Sequence, residues 1–439
     1  MRRHLHPVRR IERVAPPPGR RVVAMTFDDG PCAGPARPGD GQGLTESLLK
    51  TLEQYGARGT FDIIGTTAFN YPDREGHLHT ARWSGVKHDH YPEFGRDELA
   101  GAANQPGLVR QILDGGHELA NHGYHHVAFG PSRFIYGSRE FLPNLAAVIE
   151  DLKQLHQLIE HSFGYRLKLA RPPHYIDHTA DGYSAYHAYC AMGYLYLAAS
   201  FDGGGWKPSC GDYRKDVENM VTPLARALAA DPDSLNGQII FQKDGYNMSK
   251  QSPVCDALPR QLELLKRYDY RVVTVSELLS LSPYTDLDPS HPVAEKIRQL
   301  ERVGFVLAYM DNSFQPERLL TRGELAVMLL KPGLEEMKEV RAKLGTCRQN
   351  DNSPAFKDVP PQNPYAAAIS RTAALGLIQA RGELFYPDRT ASWQEIKEAA
   401  IALCRLLKLS LPTPTVPSHE RPVNRLAALE VLAPYLLAL

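Results

Sequence analysis

"AMTFDDGP", residues 24–31, closes an apolar run with two adjacent aspartates and a Gly-Pro turn. Val22-Val23-Ala24-Met25 reads as a buried strand, so Asp28 and Asp29 are delivered together where that strand stops. Two free carboxylates at one spot repel each other and raise one pKa; a dication on one side and a guanidinium on the other would remove that penalty. One aspartate could then hold a metal while its neighbour, aimed differently, takes a proton from a water acidified by the ion.

Three further stretches supply the missing groups. "GHELANHGYHH", 116–126, spaces His122 and His126 four apart, which on a helical turn puts two imidazoles on one face. "ARPPHY", 170–175, offers Arg171 beside a rigid Pro172-Pro173, and "FDGGGW", 201–206, is a Gly-rich turn closed by an aromatic. Alone, each has a plainer reading: a turn, a surface histidine pair, a salt-bridged loop. Two histidines and a carboxylate together are what a hydrolytic Zn²⁺ site needs, and the same donors accept Co²⁺, Ni²⁺ or Fe²⁺.

Around these stretches, short apolar runs at 22–26, 60–64, 195–199, 238–241 and 271–275 alternate with amphipathic segments at 46–55, 108–115, 141–160, 183–192, 216–230 and 258–268. That alternation predicts an α/β layered or barrel fold with largely parallel strands. Residues 70–107 form a long irregular insertion carrying His77, His79, His88 and His90, of the length that is more often functional or flexible than accidental.

Beyond residue 280 strands disappear and the chain repeats with a period of 71 to 72 residues. Asp286-Leu287 matches Asp358-Val359, Phe314-Gln315-Pro316 matches Phe385-Tyr386-Pro387, and Thr321-Arg322-Gly323-Glu324 matches Ser392-Trp393-Gln394-Glu395. Asn424-Arg425-Leu426-Ala427 reads as a fragment of a third copy. Such units bury their apolar faces on one another. The chain therefore divides into a basic, Pro-rich arm (1–20), a first domain (21–282) and a helical repeat domain (283–439), with repeats near 284–331, 356–408 and a partial 420–439.

At 439 residues, with 43% hydrophobic and 23% charged residues, the chain is long enough for two globular domains. Lys plus Arg equals Asp plus Glu at 50 each, which leaves no global field for nucleic acid or an anionic membrane. The local exception is the arm, where Arg2, Arg3, Arg9, Arg10, Arg13, Arg20 and Arg21 predict a disordered or surface-lying segment. No run approaches the ~18 to 20 apolar residues of a membrane span, and no apolar region of a signal peptide follows the first arginines. The cysteines contain no C-x-x-C pair, so a cysteine zinc site is not expected.

In this order the motifs resemble those of the NodB-type polysaccharide deacetylases, carbohydrate esterase family 4, over roughly 21–280. Thr26-Phe27-Asp28-Asp29-Gly30-Pro31, His122-x-x-x-His126 and Arg171-Pro172-Pro173 look like its first three motifs. The resemblance implies a distorted (β/α) barrel that removes acetyl groups from N-acetylated, less often O-acetylated, glycans such as peptidoglycan or a chitin-like polymer. It makes Asp28 the base, Asp29, His122 and His126 the metal ligands, and Arg171 the residue that orients Asp28. The backbone N–H of His174 becomes an oxyanion donor, with Pro173, Tyr175 and Trp206 against the substrate.

Two positions depart from the pattern. The fourth motif's Asp-Trp is Gly205-Trp206 here, with Asp202 three residues before Gly205. The fifth motif's Leu-x-His is Phe241-Gln242-Lys243, so Lys243 stands where the family's proton donor would be. An unperturbed lysine titrates near ~10.4, too high for an efficient acid at neutrality. A catalytically degenerate, glycan-binding barrel is therefore the competing reading.

The C-terminal pattern resembles S-layer homology modules, which bind secondary polymers of the bacterial wall, with Arg322 and Arg425 in the place of a usual ligand contact and Trp393 replacing it in the second repeat. Those repeats point to the cell envelope.

Overall fold

The computed structural model describes residues 8–14, 16, 19–37, 39, 41–66, 99–131, 141–247, 251–281, 286–287, 291–303, 305, 307, 309, 313–330, 340, 356–417 and 422–438. His77, His79, His88 and His90 of the insertion lie outside the described residues. The chain forms two compact units, one of residues 11–283 and one of 284–439 together with 1–10.

The first unit is built on one sheet. Its strands are β1 (Arg10–Ile11), β2 (Arg21–Asp28), β3 (Thr60–Ile63), β4 (Glu118–Asn121), β5 (Leu169–Ala170), β6 (Leu195–Leu197), β7 (Phe201–Asp202), β8 (Ile239–Lys243) and β9 (Tyr270–Val273). The spatial order is β1-β6-β5-β4-β3-β2-β8-β7, with β9 on the first half of β2. The pairings β2 with β3, β8 and β9, and those linking β3 to β4, β5 and β6, are all parallel, as is β7 with β8. Helices such as Leu44–Gln54, Leu145–Phe163, Tyr213–Ala230 and Val254–Arg267 supply the crossovers. This is the α/β fold with parallel strands that the alternating pattern predicts, curled into the half-barrel that the resemblance implies.

β2 lies inside the sheet, and Val22 to Phe27 are buried without a break, as suits a parallel strand covered on both faces. Because the strands run parallel, their C-terminal ends gather at one rim. Asp28, Asp62, Asn121, Ala170 and Lys243 all stand at or next to that rim, where α/β sheets build their sites.

Two expectations need correction. The arm is not wholly outside the fold: Ile11 and Val14 are buried in the barrel core with Val22, Leu197 and Ile239, and Ala198 N–H donates to Ile11 O at 2.8 Å. Apolar residues interleaved with the arginines give Arg10–Ile11 a strand edge to pair with. Nor does a helix carry His122 and His126. His122 follows β4, and the chain then turns through Gly123 (φ 83°) and His126 (φ 53°), so a turn rather than an i, i+4 face brings the rings together.

The second unit shows the repeats as geometry. The Asp286 carboxylate accepts from Phe314 and Gln315 N–H at 2.8 and 2.7 Å; Asp358 does the same for Phe385 and Tyr386 at 2.9 and 2.6 Å. Thr321 with Glu324, and Ser392 with Glu395, form reciprocal capping boxes at the starts of helices Arg322–Met328 and Trp393–Leu407. Asn424 caps the third, Arg425–Leu436. Leu320 N–H donates to Val423 O and Ala391 N–H to Leu320 O, so the residues just before the three caps meet one another.

Among the described residues, no helix is long and apolar enough to cross a membrane.

A candidate active site at the strand ends

Asp28 and Asp29 are both buried, and they face different partners. In a continuing strand their side chains would point to opposite faces of the sheet. Instead the chain leaves the extended conformation at Asp29 (φ 79°), which turns that carboxylate back towards the rim. Gly30 permits the turn to sit against Asp244, since a Cβ there would lie 1.9 Å from Asp244 Oδ2.

The Asp28 carboxylate accepts from Arg171, a side chain with no exposed surface. Arg171 is fixed by three more acceptors: Thr26 Oγ1 at 3.0 Å, Ala198 O at 3.2 Å and Leu197 O at 3.4 Å. Asp29 Oδ1 lies 3.1 Å from Nε2 of both His122 and His126. Its other oxygen, Oδ2, accepts from the Lys243 ammonium. His122 Nδ1 is 2.9 Å from Arg171 O, a contact that fixes the ring with Nε2 towards Asp29.

Sequence reasoning missed two carboxylates. Asp62, in register with Asp28 on β3, is fully buried, with Oδ2 3.5 Å from His122 Nδ1 and 3.7 Å from Arg171 Nε. Asp244 follows Lys243 and accepts from Thr45 Oγ1, while its N–H donates to Asp28 O at 2.7 Å. The alternation within Thr60–Ile63 and the placement of Asp244 beside Lys243 were the available signals.

Counting neutral imidazoles, four buried carboxylates here face two buried cations, Arg171 and Lys243. Burial dominates the proton affinities of these carboxylates. Burial lifts Asp62 to about 7 and Asp244 to about 8. Burial alone would lower His122, but Asp62 and then Asp29 outweigh it and raise the ring to about 9. Burial also raises Asp28, against the pull of Arg171. Asp29 goes the other way: Lys243, His126 and the two imidazole contacts overcome burial and hold it well below the usual carboxylate range.

The donor atoms of Asp29, His122 and His126 lie within 4.8 Å of one another, and all three residues are buried. One carboxylate and two imidazoles suit a divalent first-row ion.

The remaining predicted residues fall into two groups. Pro173, His174 and Tyr175 form a short turn after Arg171-Pro172, with His174 and Tyr175 both at φ 56° and the His174 ring 4.7 Å from that of His126. Tyr175 is 41% exposed, and its ring and that of Phe241 lie 5.4 and 5.6 Å from the Arg171 guanidinium. Trp206 follows Gly205, which packs against Lys243, and its Nε1 donates to Asp202 at 3.1 Å. Asp202 is exposed and serves that turn.

Arg322 and Arg425 are not surface groups. Arg322 donates to Phe385 O and Gln379 O at 2.8 and 2.7 Å and pairs with Glu395. Arg425 donates to Phe314 O at 2.8 Å and to Leu307 O. Both are buried staples that bind the F-x-P loop of a neighbouring repeat, which corrects the expectation that these side chains are presented to a wall polymer. Trp393 holds the corresponding position of the second repeat, and the third copy carries no F-x-P stretch before Asn424. The indole packs on the core instead.

Residues 15–181 match the polysaccharide deacetylase family. Those residues carry a polysaccharide deacetylase domain within the first unit. Residues 283–326 match the S-layer homology domain, so an S-layer homology module follows the deacetylase domain. The deacetylase domain is similar to a peptidoglycan-N-acetylglucosamine deacetylase of Bacillus cereus, at 26% identity over 60% of this chain and 90% of that protein. It is also similar to the peptidoglycan-N-acetylmuramic acid deacetylase PdaC of Bacillus subtilis, at 26% identity over 60% of this chain but only 39% of that protein. Among solved structures, the chitin deacetylase of Colletotrichum lindemuthianum aligns at 20% identity with a TM-score of 0.42, covering 62% of this chain and 92% of that one.

Proposed function

We propose that the first unit is a metal-dependent deacetylase of N-acetylated cell-wall glycan, and that the helical unit associates with secondary wall polymer at the cell envelope. The observation that carries the reading is the division of labour between Asp28 and Asp29: adjacent in sequence, one meets Arg171 and the other meets two imidazoles. Asp29, His122 and His126 hold the ion, Zn²⁺ by ligand type, with Co²⁺ or Ni²⁺ able to replace it. When bound, the ion supplies Lewis acidity to the acetyl carbonyl and to a water.

The chain's own residues do the rest. Asp28, its charge held by Arg171, accepts the proton of the attacking water, and burial raises its proton affinity towards what a base needs. The His174 N–H donates to the acetyl oxygen as charge builds there. Asp28, now protonated, returns its proton to the departing nitrogen. Tyr175 and Pro173 border the sugar, and Trp206 offers a second aromatic contact. Polymer association in the helical unit falls to groups other than the buried Arg322 and Arg425 side chains.

A second reading has one observation in its favour. Lys243 occupies the position of the family's proton donor, and its ammonium is engaged by Asp29. A barrel that binds metal and glycan without turnover would look the same. Acetate release from N-acetylglucosamine oligomers and from peptidoglycan, with Zn²⁺ or Co²⁺ added and Asp28→Asn as blank, separates the two. Release above the blank is expected; none from folded, metal-loaded protein favours the glycan-binding barrel.

A further inference from the structure

Lys243 is the last residue of β8, paired in register with Asp28 across the sheet, and its side chain is 5% exposed. Its ammonium contacts Oδ2 of Asp29, while Oδ1 of the same carboxylate faces Nε2 of His122 and His126. One oxygen therefore looks into the three-donor pocket and the other is bound to a fixed positive charge. Arg171, the other buried cation of the rim, is directed to Asp28 and to backbone carbonyls.

We propose that Lys243 is a resident counter-cation of the metal site, a positioning residue that neutralises Asp29 before metal arrives and thereby lowers the site's affinity for divalent ions. The inference rests on the reading of Asp29, His122 and His126 as the ligands. A dication entering this pocket meets a carboxylate whose charge is already shared, and it meets the ammonium's own repulsion across one carboxylate. Charges so close inside a protein interact far more strongly than in water. The effect is Coulombic, so it falls on every divalent ion by a similar factor. It makes loading of the site depend on how much metal is available. The reading also gives Lys243 a role that needs no proton transfer from its amine.

The test is metal affinity of the full-length chain, stripped with chelator and titrated with Zn²⁺ and with Co²⁺ against a chromophoric competitor. Lys243→Gln keeps an N–H for Asp29 Oδ2 and removes the charge; Lys243→Met removes both and serves if the first variant misfolds. Either variant is expected to bind both ions at least tenfold more tightly than the unaltered protein, by factors that agree within about threefold. Affinities equal to or below that of the unaltered protein in every folded Lys243 variant overturn the proposal, as does a gain for one ion alone. Asp29→Asn separates this from failure of the underlying reading: it should weaken both ions more than tenfold, and unchanged binding there would mean the ligand set, not Lys243, was misassigned.

Discussion

Arg171 in the barrel and Arg425 in the helical unit are both fully buried guanidinium groups lying over aromatic rings, with Tyr175 at 5.4 Å and Tyr309 at 4.4 Å. They differ in what neutralises them. Arg171 gives a nitrogen to Asp28, a carboxylate that belongs to a cluster of further donors, and its other hydrogen bonds hold it still. Arg425 gives Nε and one terminal nitrogen to backbone carbonyls of another repeat; Arg322 does the same across a second junction and also pairs with Glu395 inside the helical unit. Burial of a cation is therefore no sign of a site. The partner decides: a carboxylate at a strand rim can do chemistry, whereas a loop carbonyl can only be held.

Breaking the staple should have the largest effect on folding. Arg425→Ala removes two hydrogen bonds from buried carbonyls and opens a cavity, a loss of about 3–5 kcal/mol in the helical unit. Thermal unfolding and limited proteolysis should show that unit melting early while turnover on soluble glycan is retained. A variant as stable as the unaltered protein would return Arg425 to the list of candidate polymer contacts. Arg171→Met should act the other way round, lowering turnover by about 10²-fold, roughly 2.7 kcal/mol of barrier, while leaving the helical unit's melting unchanged. Intact kcat would remove Arg171 from the site. The smallest effect is expected of Trp393→Arg. Because the third copy carries no F-x-P stretch, the new guanidinium should shift the melting midpoint of the unit by no more than about 1 kcal/mol's worth and give no gain in sedimentation with cell walls. A clear gain in either would show that the third junction does have acceptors.

Much of the barrel was legible because its signals are local. A run such as Val22 to Phe27 ending in Asp-Asp-Gly-Pro announces a buried strand and its stop, and Arg171-Pro172-Pro173 marks its own turn. Glu118–Asn121 was not legible as a strand, since four residues of mixed polarity inside a histidine-rich stretch carry no period; its neighbours β3 and β5 impose the extended form. The positive φ angles at Asp29 and His126, which aim those side chains, belong to residues that give no local warning of them. Asp62 reaches the site only through strand register, a non-local property, and Asp244 arrives as the sequence neighbour of Lys243, itself placed by register. The repeats were visible from spacing alone. That Arg322 and Arg425 point inward was not, because a capping box fixes where a helix starts and not which carbonyls lie beyond its first side chain.

The central claim is that the adjacent aspartates are divided between proton transfer and metal binding. Zinc content and turnover of Asp28→Asn and Asp29→Asn, measured side by side on folded protein, test it most directly. The account predicts that Asp28→Asn keeps its zinc within about twofold and loses turnover by at least about 10³-fold, while Asp29→Asn loses the metal as well as the activity. Zinc lost from Asp28→Asn and kept by Asp29→Asn would contradict it.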